Sequence, residues 1–214
     1  MTDKPGKPES GSGVTLRDVA RLAGVHPGTA SRALDPSKQW LVQPSTSARV
    51  QAVARELGYR PHAVARSLRS GQTRTVGVVV ADIANPFIAV VIRAIANGLD
   101  GKGYLPFIVE TNDESERLGP VVDTLVGRRV DAIITTAARL GDLEVLRSFA
   151  DRSIPIVLAV RTIPGAGLPS VGSDDLGGGR MVAEHLIRLG HRHVMELRGP
   201  DDVQTFRDRH EGFT

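Results

Sequence analysis

The stretch TLRDVARLAGVHPGTASRAL, residues 15–34, decides the fold of the N-terminal part of the chain. Thr15 and Asp18 stand at capping-box spacing, with Asp in place of the more usual Glu or Gln, so a helix opens there and runs to Ala23. Gly24 follows and permits a tight turn. His26 then precedes Pro27, which suits the first position of a second helix because its missing N–H would be unpaired there anyway. Along that helix Ala30 and Leu34 are expected to face inward, and Thr29, Ser31 and Arg32 outward. Helix, short glycine turn and polar helix make the helix-turn-helix arrangement. The small residues Ala20, Ala23 and Ala30 let the two helices cross closely enough for the second to project into a DNA major groove, with Arg32 as the best base reader available. The bland alternative is a plain three-helix packing module.

Outward from this stretch, apolar residues recur at helical spacing as far as Tyr59, among them Val50, Val53 and Leu57, which predicts a three-helix head over 14–60. Residues 1–13 are rich in Gly, Pro, Ser and Lys without apolar period, a disordered arm. After Pro61, expected to close the third helix, HAVARSLRS is too short for a stable helix by itself, and 61–74 is read as a hinge that folds on DNA. Leu68, exposed in an otherwise polar segment, argues against a merely basic linker. Residues 1–74 hold twelve Lys/Arg and five Asp/Glu, a net of +7, whereas 75–214 hold fifteen and nineteen, a net of −4. A basic head on an acidic body suits a protein whose N-terminal part meets phosphate.

From Thr75 the rhythm changes. Apolar runs at 76–82, 104–110, 130–137 and 154–160 alternate with amphipathic stretches at 86–103, 115–129, 143–152 and 177–190, followed by HVMEL at 193–197. Strands bounded by helices of this length imply βαβ units in a doubly wound parallel sheet. The fold class is therefore an all-α helix-turn-helix head plus an α/β core, the first lobe spanning 75–172 and a second beginning at 173–214.

TLRDVARLAGVHPGTASRAL, VQPSTSARVQAVARELGYRP and AVARSLRSG together resemble the opening of LacI-family repressors, and the likeness continues through most of the chain. It implies a core of periplasmic-binding-protein-like type. By that resemblance Pro27, Gly28 and Arg32 lie where the recognition helix meets base edges, and Thr29, Ser31 and Thr15 where the head meets phosphate. His26 stands where a serine is usual. In the hinge, with His62, Ala65 and Leu68, the family's leucine wedges between base steps of the minor groove, and Arg66 and Arg69 would reach phosphates. An insertion within DPSKQW puts Trp40 in the loop before the third helix, with local packing as its only expected role.

In the core, Asn85, Pro86 and Phe87 fall in the loop after the first strand, at the carboxyl end where open parallel sheets bind small molecules. Asn for hydroxyls and Phe as an apolar platform suit a sugar-like effector, although Asn85 also suits a plain helix cap. The resemblance adds Arg161 and Arg209 as effector contacts. Val160 departs from it, standing where many members carry an Asp, and accepts no hydrogen bond. After about Ser173 the chain offers the second lobe one helix, one strand and RDRHEGFT, so the lobe is expected to be incomplete, as in a truncated product, with an apolar face uncovered.

The partners this implies are double-stranded palindromic DNA, a small sugar-like molecule and a second copy of the chain, with no cofactor, metal or membrane. With no cysteine, neither a disulfide framework nor a thiolate metal site is available. MTDKPGKPESGSG offers no apolar signal core and no later stretch has eighteen apolar residues, so the cytoplasm is expected and a periplasmic solute-binding module disfavoured. Gly177, Gly178 and Gly179 lack the pattern of a phosphate loop and suit close helix packing. Glu184 with His185, His191 and His193 has no fixed metal-ligand spacing, and no nucleophile elbow occurs, so no catalysis is indicated. A fragment that occupies DNA or pairs with longer relatives without sensing anything is the remaining alternative.

Overall fold

Thr15 and Asp18 make the reciprocal capping box at the start of α1 (Leu16–Leu22): the Asp18 N–H donates to Thr15 Oγ1 at 3.3 Å and the Thr15 N–H to Asp18 Oδ2 at 3.1 Å. The computed structural model describes residues 14–35, 38–59, 71–152 and 154–214, which form two units divided between Tyr59 and Gly71. In the first unit α1 stops where Gly24 takes φ +64°, and the Val25 N–H returns to the Ala20 carbonyl at 2.9 Å. Only a residue without Cβ enters that left-handed turn at no cost. Helix α2 (Pro27–Ala33) follows, then a 3-10 turn (Gln39–Leu41) and α3 (Pro44–Glu56).

Val19, Ala20, Ala23, Ala30, Ala33, Val50 and Ala54 are buried where the three helices cross. Five alanines among these seven residues bring the backbones close, as the sequence predicts. Leu34 is half-buried against this cluster, Thr29 and Ser31 are half-buried, and Arg32 is exposed. Two expectations need correction. The third helix stops at Glu56, before Pro61, because Gly58 adopts φ +63° and the Tyr59 N–H bonds the Ala54 carbonyl at 2.8 Å. Trp40 does lie in the connecting turn, but at 80% exposure most of it is left out of the packing expected of it.

The second unit carries a five-stranded parallel sheet in the order β2-β1-β3-β4-β5, formed by β1 (Thr75–Val80), β2 (Leu105–Glu110), β3 (Ala132–Thr135), β4 (Ile156–Ala159) and β5 (Ser170–Val171). Strand β1 is valine-rich and buried from Val76 to Val80, because helices cover both faces. Val78 and Val80 pack on Ile88, Ile92, Ile95 and Leu99 of α4 (Pro86–Asp100). Val79 and Ile133 face Val122 and Leu125 of α5 (Leu118–Gly127) and Leu146 and Phe149 of α6 (Leu143–Ala150). At Gly77 a Cβ would come within 2.7 Å of Leu125 Cδ1, so the missing side chain lets α5 seat closely.

Beyond β5 the chain forms α7 (Asp175–Arg188) and α8 (Gln204–Phe213), packed on each other. A Cβ at Gly179 would strike the Arg209 carbonyl oxygen, and one at Gly212 the Leu176 carbonyl oxygen, so glycines set this crossing. HVMEL, expected as a strand, forms none: no described strand lies beside residues 193–197 to complete its hydrogen bonds. Met181, Val182, Ile187, Leu189, Met195 and Leu197 are exposed, apolar side chains that no described element covers. No helix among the described residues is long and apolar enough to cross a membrane.

Candidate functional site

In the first unit, the His26 ring is the N-cap of α2, its Nδ1 accepting the Gly28 N–H at 3.1 Å. That bond holds the start of the helix where Pro27 and Gly28 lie, both half-buried. Capping occupies one ring nitrogen of His26, a use the sequence did not suggest. Arg32 stands on the exposed side in the last turn of α2, opposite the buried Ala30 and Ala33. Arg49 of α3 donates from Nε to the Ala23 carbonyl at 3.1 Å and fastens the end of α1. Among the described residues the unit therefore presents a short helix with a capped N-terminus and one exposed guanidinium along it. His62, Ala65 and Leu68, with Arg66 and Arg69, lie outside the described residues.

In the second unit the loops after β1, β2, β3 and β4 meet at the carboxyl end of the sheet. Asn85 caps α4, its Oδ1 accepting the Phe87 N–H at 3.0 Å, so the capping alternative holds. Phe87 is 55% exposed in the first turn of the helix, where its ring remains open to contact. Arg161, after β4, is not idle: it donates to both carboxylate oxygens of Asp113, after β2, from its two terminal guanidinium nitrogens at 2.5 and 3.3 Å. Arg139, after β3, meets the same carboxylate at 3.0 Å, the Asp113 carbonyl at 2.9 Å and Asp202 at 2.6 Å.

Burial alone would push the Asp113 carboxyl up, but the hydrogen bond and charge of Arg161, joined by Arg139, outweigh it and hold the group below its ordinary value. Burial likewise works against the Arg139 cation, and Asp202 and Asp113 together overcome it and raise its pKa. Asp113 holds a left-handed backbone, φ +56°, which Asp tolerates better than most residues. Val160, just before Arg161, has φ +69°, a conformation that a β-branched side chain rarely accepts. Thr136 Oγ1 and Arg139 Nε, both after β3, are buried without a hydrogen-bond partner. Such atoms are uncommon in folded proteins and are found where a ligand or water completes them.

Arg209 is not brought to this group. Its ion pair is with Asp175 of α7 at 2.7 Å and its ring contact with Phe206 of α8. It borders a cleft of about 510 Å³ lined also by Gly179, Val182, Met195 and Leu197. Asp113, Arg139, Thr136 and Asp202 were missed by sequence reasoning. The polar run TNDE after the second apolar stretch is the signal that could have pointed to Asp113. Among the described residues no group of three His, Asp or Glu side chains is placed to hold a metal ion. The cluster offers charged donors, acceptors and an aromatic face, the chemistry of holding a small polar molecule.

The sequence matches two family profiles. Residues 15–62 match the bacterial regulatory proteins of the lacI family, and residues 73–214 match the periplasmic binding proteins and sugar binding domain of the LacI family. Among similar curated proteins, the HTH-type transcriptional regulator PtxS of Pseudomonas putida is 33% identical over 202 residues, covering 94% of this chain and 58% of that protein. The ribose operon repressor of Halalkalibacterium halodurans is 33% identical over 199 residues, covering 93% of this chain and 58% of the repressor. Among solved structures, the lac repressor dimer bound to operator and the anti-inducer ONPF aligns with a TM-score of 0.80 at 26% identity, covering 94% of this chain and 61% of that one. The chain thus spans somewhat under 60% of the length of these curated relatives.

Proposed function

The chain belongs to the LacI family of bacterial regulatory proteins, and on that premise we propose that it is a sequence-specific DNA-binding transcription regulator, a repressor, whose operator binding responds to a small sugar-like effector. The observation that carries this reading is the alanine-lined crossing of α1 and α2, which leaves a short capped helix free to enter a major groove with Arg32 exposed along it. Arg32 donates to base edges, Pro27 and Gly28 let the backbone approach them, and Thr15, His26, Thr29 and Ser31 meet phosphates. The head is assigned to 14–60, the hinge with His62, Ala65 and Leu68 to 61–74, and the two lobes of the core to 75–172 and 173–214.

Effector binding is assigned to the carboxyl end of the sheet. Phe87 supplies an apolar face, Asn85 and Arg161 hydrogen bonds, and Thr136 Oγ1 and Arg139 Nε are the atoms a ligand or its water would complete. Arg209, paired with Asp175 outside this group, is assigned to effector binding by the family resemblance alone. The working form is a cytoplasmic homodimer without catalytic activity, since two half-sites are needed where one small head buries too little surface. The test is selection of bound duplexes from a randomised pool by the purified chain, repeated with Arg32→Ala. A two-fold symmetric consensus that the variant fails to enrich supports the reading; enrichment of no sequence by the parent chain overturns it.

A further inference from the structure

We propose that the 3-10 turn Gln39–Leu41 is a second DNA-contacting element of the head, with Trp40 laid against the sugar-phosphate rail that borders the recognition groove. The inference rests on the DNA-binding reading above. Trp40 is 80% exposed and Leu41 beside it 52% exposed, an aromatic and a branched apolar side chain displayed together on a basic unit. Exposed apolar side chains gathered on one element form a candidate contact surface.

The turn is held in place. Gln39 Nε2 donates to Ser47 Oγ of α3 at 2.9 Å, and Ser47 Oγ, buried, donates to the carbonyl of Ala33, the last residue of α2, at 3.4 Å. The Leu41 and Val42 N–H groups close the turn on Lys38 and Gln39 at 3.0 Å each. The position of Trp40 is therefore tied to the recognition helix.

Helix α2 has seven residues, a rise of about 10 Å, while the major groove is about 12 Å wide. A chain leaving such a helix with its N-terminal end at the bases has reached the groove wall, where deoxyribose and phosphate lie. Lys38 stands two residues before Trp40, and α3 opens three residues after Leu41 with no side chain capping its N–H groups. Both favour an anionic partner at this edge. An indole meets a sugar-phosphate rail well, its face on the deoxyribose and its N–H toward phosphate oxygen. The contact adds affinity without distinguishing bases.

Trp40 is the chain's single tryptophan, so its emission reports this contact directly. The probe is a duplex recovered from the randomised pool, titrated into the full chain while acrylamide quenching is followed. The proposal expects Trp40 to become protected on duplex addition. Trp40→Ala should weaken binding about tenfold across all duplex sequences with the salt slope unchanged, because no cation is lost. Trp40→Phe should recover most of that loss, and circular dichroism should show both variants folded.

A parent chain that binds the duplex with Trp40 still open to acrylamide, and a Trp40→Ala variant that binds equally well, would overturn this proposal and leave the DNA-binding reading standing. Absence of sequence-selective binding by the parent chain overturns both. Protection that follows protein concentration in the absence of DNA would make the turn an interface between copies and also refute the proposal.

Discussion

Replacing Asp113 by Asn removes one negative charge from between two arginines while keeping the side chain's size and its tolerance of the left-handed backbone at φ +56°. The carboxylate takes contacts at 2.5 and 3.3 Å from Arg161 and at 3.0 Å from Arg139. The arginine side chains are 13% and 15% exposed and Asp113 35%. Exposed ion pairs contribute about 0.2–1 kcal/mol, and breaking a fully buried one costs about 3–5 kcal/mol. This cluster lies between, so the loss should be about 2 kcal/mol, or about 4–8 °C in the melting of the core.

Urea denaturation followed by far-ultraviolet circular dichroism measures that loss in the full chain. Trp40 emission serves as an internal control, because the only tryptophan lies in the head. The dichroism midpoint should fall while the Trp40 midpoint stays. The pH dependence fixes the cause. A carboxyl whose folded pKa is depressed stabilises the fold fully above its unfolded value, about 3.9, and loses that contribution as pH falls through the lower folded value. The gap between parent and Asp113→Asn should therefore be full at neutral pH and shrink as pH falls through the lowered folded value. A neutral-pH difference under about 0.5 kcal/mol, or a gap that persists in acid, would refute the ion-pair account.

Three further outcomes are expected. Gly212→Ala drives a Cβ into the Leu176 carbonyl oxygen and should cost about 1–3 kcal/mol in the α7–α8 pair, read as faster limited proteolysis there; unchanged cleavage would contradict the close crossing. Val160→Asn relieves a β-branched residue at φ +69° and should stabilise the core by about 1 kcal/mol, read as a higher urea midpoint, whereas a lower midpoint would show that valine packing outweighs backbone strain. Thr15→Ala removes the hydroxyl of the α1 capping box and should cost the head about 1 kcal/mol, read as a lower Trp40-monitored midpoint with the core transition unmoved.

What was legible in the chain was what is local. Thr15 with Asp18, Gly24 before Val25, and His26 before Pro27 encode the first two helices within a few residues each, and the structure has them there. The valine run at the first strand encodes a position covered on both faces. The carboxyl end of the sheet was only half legible. Asn85 and Phe87 announce themselves by following a strand, but Arg139 and Arg161 meet Asp113 across 26 and 48 residues of chain, pairings that no local pattern carries. HVMEL has the composition of a strand and lacks a partner among the described residues, because pairing is a property of the neighbour as much as of the segment. Val160 reads in the sequence as a lost hydrogen-bond acceptor. The structure adds that the position is left-handed, where Asp or Asn is the tolerated choice.

The central claim is that the head distinguishes DNA sequences through α2. Its most direct test is the affinity of the purified chain for a selected duplex and for a scrambled duplex of equal length and composition, at two salt concentrations, for the parent and for Arg32→Ala. The account predicts a preference of about a thousandfold or more for the selected duplex that survives added salt and collapses in the variant. Equal affinities for the two duplexes, both lost together as salt rises and unaffected by the substitution, would contradict it.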